Sequence, residues 1–117
     1  GLEGAPAHDK VSGERVALPQ QPFRFAGEVD LVVYSGQAVT LDDSGWRRRL
    51  RIDSQGSATS VLWNPAPAKA RQLADLPDED WRRFVCVETA NAGEDARSLL
   101  PGASHTLGCR LHFSRAD

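Results

Sequence analysis

Short runs of alternating apolar and polar residues, separated by turn residues, recur along the chain and predict β-strands. The predicted strands are Phe23 to Ala26, Val29 to Tyr34, Ala38 to Leu41, Arg47 to Asp53, Ser60 to Trp63, Arg82 to Thr89 and Thr106 to Phe113. Turn sequences such as Asp42-Asp43-Ser44-Gly45 lie between them. This pattern favours an all-β fold, an antiparallel β-sandwich or barrel.

Two segments depart from the alternation. The first 21 residues contain three glycines and two prolines and carry few strand signals, so we expect mostly loop there. The segments Ala68 to Leu76 and Leu76 to Trp81 predict short helical turns. The length of 117 residues suits one domain with a modest core.

Composition excludes some classes of partner. The formal net charge of −2 gives no basic excess for nucleic acid. No apolar run approaches the roughly 18 residues that a membrane-spanning helix needs. The two cysteines, Cys86 and Cys109, lie in separate predicted strands without a CxxC pair, which favours small buried side chains in a reducing compartment such as the cytoplasm.

The run Phe84-Val85-Cys86-Val87-Glu88 places an acid in an otherwise apolar strand. Alternation puts Glu88 on the face of Phe84 and Cys86, and both faces are mostly apolar, so we expect a strand covered on both sides. An unpaired carboxylate there is costly. Glu88 therefore either lies near the strand end, meeting an arginine or water, or is a general base on the floor of a polar cleft.

Ordered sequence blocks along the whole chain resemble the hexose-6-phosphate mutarotases, the glucose-6-phosphate 1-epimerase branch of the aldose 1-epimerase superfamily. The blocks are Gly1-Leu2-Glu3-Gly4, Asp9-Lys10-Val11, Gly27-Glu28-Val29-Asp30, Val61-Leu62-Trp63-Asn64-Pro65 with Lys69-Ala70, Asp75-Leu76-Pro77-Asp78-Glu79-Asp80, Phe84 to Glu88, and Leu100-Pro101-Gly102-Ala103-Ser104-His105. The resemblance implies a galactose-mutarotase-like fold, with residues 1–117 as the C-terminal portion of one larger sandwich domain.

The resemblance also implies a reaction. A hexose or hexose phosphate exchanges its α and β anomers without metal or organic cofactor: a carboxylate takes the proton of the anomeric hydroxyl and an imidazole protonates the ring oxygen. Glu88 matches the catalytic carboxylate of the family, and Asp30 matches an acid that faces the sugar and binds its hydroxyls. The chain departs from the family pattern at Leu31, Val29 and Ala66, where Arg, Thr and Trp are usual, and this leaves the identity of the sugar open.

The family's imidazole and its phosphate-binding arginines lie upstream of the block that matches Gly1 to Gly4. His8, His105 and His112 do not match that imidazole, so we expect surface or structural roles for them. We therefore expect the chain to be inactive alone, or completed by another chain or by a second copy that covers open sheet edges. Two alternatives remain open: a carbohydrate-binding module without catalysis, and a structural or regulatory protein.

Other residues have two interpretations each. The basic run Trp46-Arg47-Arg48-Arg49 is either a phosphate site or, as we prefer, a solvated turn and strand edge. Trp63 and Trp81 could stack on a sugar, although such residues more often pack in a core.

Overall fold

The fold consists of two antiparallel β-sheets. The computed structural model describes residues 1–116. Its strands are β1 (Pro6–Asp9), β2 (Glu14–Ala17), β3 (Val29–Tyr34), β4 (Val39–Asp43), β5 (Arg48–Gln55), β6 (Thr59–Asn64), β7 (Cys86–Ala90) and β8 (Gly108–Arg115). A five-stranded sheet has the order β2-β1-β3-β6-β7, and a three-stranded sheet has the order β4-β5-β8. The prediction of an antiparallel all-β fold is confirmed.

The hydrophobic core lies between the two sheets. From the larger sheet, β3 contributes Val29, Leu31 and Val33, and the opposed strands add Ala7 and Leu62. Val39 and Ile52 contribute from the smaller sheet. Alternate residues of β3 therefore point inward, as β-branched residues on the buried face of a sheet do. The residues between them, Asp30 among them, point to the opposite face.

Of the first 21 residues, where we expected mostly loop, 13 lie outside strands, but the other eight form a hairpin of β1 and β2 that was not predicted. Asp9 stabilises its turn: the carboxylate accepts hydrogen bonds from the Val11 amide at 2.9 Å and the Ser12 hydroxyl at 3.0 Å. Gly13 supplies a positive φ of 79° there, which glycine adopts at little cost. Turn chemistry and pairing with β3 outweigh the weak strand propensity of this segment.

The predicted strand from Phe23 to Ala26 is absent. Its two phenylalanines instead contact each other edge to face, with ring centroids 5.4 Å apart, and pack against the core. Their side chains therefore cover part of the core, but their backbone does not pair with any strand within residues 1–116.

The helical predictions are partly confirmed. The helix α1 spans Ala66–Ala70, earlier and shorter than predicted, and 3-10 turns span Asp80–Arg82 and Gly93–Asp95. Proline at position 67 lies in the first helical turn, where its missing N–H is not needed. The first 3-10 turn occupies the start of the predicted strand from Arg82 to Thr89, so β7 begins only at Cys86. No helix among residues 1–116 is long and apolar enough to cross a membrane.

Candidate functional site

The outward face of the five-stranded sheet, which we call the site face, carries the polar residues that the sequence singled out. Opposed residues in antiparallel strands point to the same side of a sheet. The register opposes Asp30 with Trp63 and Trp63 with Cys86, and it opposes Val61 with Glu88. Asp30, Trp63 and Glu88 therefore share this face, opposite to the core.

Asp30 and Glu88 are separated by one strand, β6, and are offset by two residues along the sheet. With a strand spacing of about 4.8 Å and a rise of about 3.4 Å per residue, their Cα atoms lie about 12 Å apart. Trp63 stands between them. Asp30 and Glu88 therefore lie on either side of the aromatic side chain of Trp63 on the site face.

Asp30 is the better anchored of the two acids. Its side chain is about one-quarter exposed, and its carboxylate lies 3.6 Å from the ammonium group of Lys10. The Lys10 amide also donates to the Asp30 carbonyl at 2.8 Å, which holds this lysine beside β3. An acid held at a fixed place on a sheet can accept hydrogen bonds from sugar hydroxyls without further ordering.

Glu88 lies on an edge strand and is exposed to solvent. The expectation of a strand covered on both sides is therefore wrong: one face of β7 packs on the core through Val87, and the other is open. Burial raises the pKa of the neighbouring Cys86 thiol, and the negative charge of Glu88 raises it further. Because the Glu88 side chain is exposed on this open face, its carboxylate is accessible to a ligand.

The buried side chain of Asn64 holds the aromatic residues Trp63 and Phe84, which we call the aromatic floor, in place. The Asn64 amide donates to the carbonyls of Trp81 and Phe84, both at 2.8 Å, and its oxygen accepts from the Ala66 amide at 3.0 Å. These bonds tie the segment before β7 to the end of β6. Phe84 consequently stacks on Trp63, with centroids 5.8 Å apart and an interplanar angle of 26°.

Of the three histidines, only His8 lies on the site face. It opposes Val32, whose next partner is Val61, so about 14 Å of sheet separates it from Glu88. His105 lies outside the sheets, with Nε2 2.9 Å from both the Gly56 carbonyl and Asn91 Oδ1. His112 lies on the outer side of the small sheet, 3.4 Å from Asp53. The sequence missed the position of His8 because its segment showed no clear strand signal.

The basic run after Trp46 is not part of the site face. Arg48 pairs with Asp43 at 2.8 Å, and Arg49 pairs with Asp42, both within the hairpin of β4 and β5. Trp46 is exposed at the tip of this hairpin. Besides Lys10, the site face carries Arg15 of β2, whose guanidinium lies 5.7 Å from the centroid of the Tyr34 ring and pairs with Glu94.

A separate cavity of about 240 Å³ opens between the sheets. Its walls are mostly apolar and include Leu41, Leu62, Phe23, Phe25 and Val87. Neither Asp30 nor Glu88 lines it. This cavity belongs to the core side and is distinct from the candidate sugar site.

Comparisons with known proteins show which family the chain is similar to. The family model described as aldose 1-epimerase matches residues 5–112. A protein of Escherichia coli named "Putative glucose-6-phosphate 1-epimerase" is 39% identical over 82 residues, covering 69% of this chain and 28% of its own length. A protein of Cenchrus ciliaris with the same name is 30% identical over 104 residues, covering 87% of this chain and 31% of its own length.

A solved structure shows the same fold. The crystal structure of a "putative mutarotase (YeaD)" from Salmonella typhimurium superposes with a TM-score of 0.69 at 28% identity, covering 74% of this chain and 30% of that one. The strands described above are therefore part of a galactose-mutarotase-like sandwich. The chain spans only about 30% of the length of the relatives that it matches.

Proposed function

Because the chain belongs to the aldose 1-epimerase family, we propose that it supplies the carboxylate side of a site that interconverts the α and β anomers of a hexose or hexose phosphate. The observation that carries the proposal is the shared face of Asp30 and Glu88, with Trp63 between them. The names of the relatives support a phosphorylated hexose. The two unpaired thiols support a cytoplasmic location.

Glu88 acts as the general base in this proposal. Its carboxylate removes the proton from the anomeric hydroxyl, the electron pair forms the aldehyde C=O, and the bond from C1 to the ring oxygen breaks. The ring oxygen takes a proton from an acid. Rotation of the aldehyde and the reverse steps close the ring as the other anomer, which returns both protons. Solvent access at Glu88 lets a sugar hydroxyl reach the carboxylate directly.

Asp30 holds the sugar in place. Its carboxylate accepts hydrogen bonds from ring hydroxyls, and Lys10 beside it can donate to one. The proton donor for the ring oxygen is assigned to further polypeptide, because His8 is three strand spacings from Glu88. Residues 1–117 are accordingly proposed as the C-terminal portion of one larger mutarotase domain.

A second function, sugar binding without turnover, is supported by the stack of Trp63 and Phe84. An aromatic face beside two carboxylates can bind the apolar face of a pyranose and its hydroxyls. The two functions differ only in whether bound sugar exchanges its anomers.

The test is anomer exchange of glucose 6-phosphate, followed by NMR, in the chain alone and in a chimera. The chimera joins this chain to the part of the Escherichia coli relative outside the 82-residue match. We expect exchange near the buffer rate for the chain alone. In the chimera, Glu88→Gln should reduce exchange by about 10²–10⁴-fold, because the amide cannot accept a proton.

The matched control is Glu79→Gln, which makes the same change at an exposed acid whose one ion pair within residues 1–116 is with Arg82. It should leave exchange unchanged. Full exchange by the Glu88→Gln chimera removes Glu88 from the mechanism. Sugar-dependent shifts at Trp63 without exchange in the parent chimera favour the binding function.

A further inference from the structure

The three-stranded sheet packs on the core through β5, whereas the same face of β8 is exposed to solvent. Ile52 and Leu111 oppose each other in the register and point to the same side. Ile52 is only 7% exposed, whereas Leu111 is 62% exposed. Because they are direct neighbours, the layer that covers this face must end between β5 and β8.

The uncovered surface is an apolar row, which we call the β8 stripe: Cys109, Leu111 and Phe113 of β8, together with Leu107 directly before the strand. Leu107 is 46% and Phe113 66% exposed, and Cys109 is exposed as well. Polar residues occupy the alternate positions, so the strand has the pattern of one that buries a single face. Scattered apolar residues on a surface are ordinary, but a row of this kind marks an interaction surface.

The covering layer ends at β7. The Thr89 hydroxyl of β7 lies 2.8 Å from the Ser54 hydroxyl of β5, so β7 crosses the small sheet at β5. Within residues 1–116, β7 pairs with β6 and with no other strand, which leaves its second edge free. A strand added to that edge would continue the larger sheet over β8, since stacked sheets lie about 10 Å apart face to face.

We propose that the free edge of β7 and the β8 stripe together form a docking surface for a β-strand. Its occupant is a segment equivalent to the part of the curated relatives that this chain does not match. About 70% of the length of those relatives lies outside the matched portion. This occupant supplies a sheet layer, whereas pairing of β8 with a second copy edge to edge would leave Leu111 and Phe113 uncovered.

The docked strand has a second consequence, which rests on the proposed function. Side chains of a strand alternate between faces, so one set covers Leu111 and Phe113 while the other set points to the site face beside Glu88. The strand that closes the core is thereby also positioned to contribute groups to the sugar site. Its chemistry is apolar at alternate residues and polar at the residues between them.

The first test measures the reaction of Cys109 with a thiol reagent in a Cys86→Ser background. In the chain alone, Cys109 should react at the rate of a free thiol, and light scattering should give the mass of one chain. In the chimera with the Escherichia coli segment, made without other cysteines, the reaction should slow by at least about 10-fold, as expected for a covered thiol. A protected Cys109 in a dimer of the chain alone would assign the surface to a second copy and overturn the proposal.

The second test compares Leu111→Glu with Val11→Glu, which changes an exposed apolar residue in the turn after β1. In the chain alone, both substitutions should change the melting temperature little. In the chimera, Leu111→Glu should lower it by at least about 5 °C while Val11→Glu does not, because only Leu111 becomes buried. Equal effects of Leu111→Glu in both proteins, or an unprotected Cys109 in a folded chimera, overturn the proposal. These readouts need no catalysis, so they separate this proposal from the assignment of Glu88.

Discussion

Replacing Asn64 by alanine tests whether the aromatic floor depends on one buried amide. The side chain makes three hydrogen bonds, to Trp81, Phe84 and Ala66. Asn64 is only 5% exposed, so water cannot replace these bonds easily. At roughly 1 kcal/mol for each bond, the substitution should lower the free energy of unfolding by about 3 kcal/mol.

The assay is thermal and urea denaturation followed by circular dichroism. For a chain of this size, about 3 kcal/mol corresponds to a decrease in melting temperature of roughly 10–15 °C. Tryptophan fluorescence should also change, because Phe84 loses its fixed position over Trp63. The change should precede global unfolding, since the segment before β7 is released first.

Asn91→Ala is the matched control. Asn91 also makes three hydrogen bonds, to Gly56, Asp95 and His105. These bonds lie near the surface, where water can take the place of the amide, so the loss should stay below about 1 kcal/mol. If Asn64→Ala and Asn91→Ala destabilise the protein equally, burial does not set the strength of these bonds and the reasoning fails.

Three further predictions concern the turn at Gly56, the carboxylate of Asp95 and the candidate sugar site at Asp30. Gly56→Ala should lower the free energy of unfolding, measured by urea denaturation, more than Gly13→Ala does. Both glycines have positive φ, but a Cβ at Gly56 would lie 2.0 Å from the Thr106 carbonyl oxygen, whereas a Cβ at Gly13 would have no heavy atom within 4 Å. Equal losses of stability in the two variants would exclude this clash as the cause. Hydrogen bonds from the Ala58 amide and Asn91 lower the pKa of Asp95, so its stabilising contribution is present above the unfolded-state pKa and lost as the pH falls through the folded one. Asp95→Asn should therefore flatten the acid side of a stability curve below about pH 4, and an unchanged curve would contradict this. In the chimera, Asp30→Asn should weaken glucose 6-phosphate binding by roughly 10-fold or more, measured by NMR titration, because an ionised hydrogen-bond acceptor is lost; unchanged affinity would place the sugar elsewhere.

The amino-acid sequence by itself determined the strands with strong alternation. Val29–Tyr34 was predicted with its observed bounds, and β5, β6 and β8 within two residues at each end. These segments combine β-branched or apolar residues at every second position with turn residues at their ends, so local information suffices. The sequence also indicated the family, because several matching blocks in the same order are hard to obtain by chance.

Tertiary structure decided what local pattern could not express. The hairpin of β1 and β2 forms because Asp9 and Gly13 make its turn and β3 offers an edge, although its strand propensity is weak. Phe23 and Phe25 alternate like a strand but pack on the core from outside the ladder. Glu88 looked like an acid within an interior strand, yet β7 is an edge with one open face.

The same limit applies to the site. The sequence could select Asp30 and Glu88 as candidates, but 58 positions separate them along the chain, and only the pairing of β3, β6 and β7 places both on one face. The exposure of Leu111 next to the buried Ile52 was equally invisible, since both occupy apolar positions of alternating strands. Alternation tells which residues can be covered, whereas the layers of the sandwich decide which of them are.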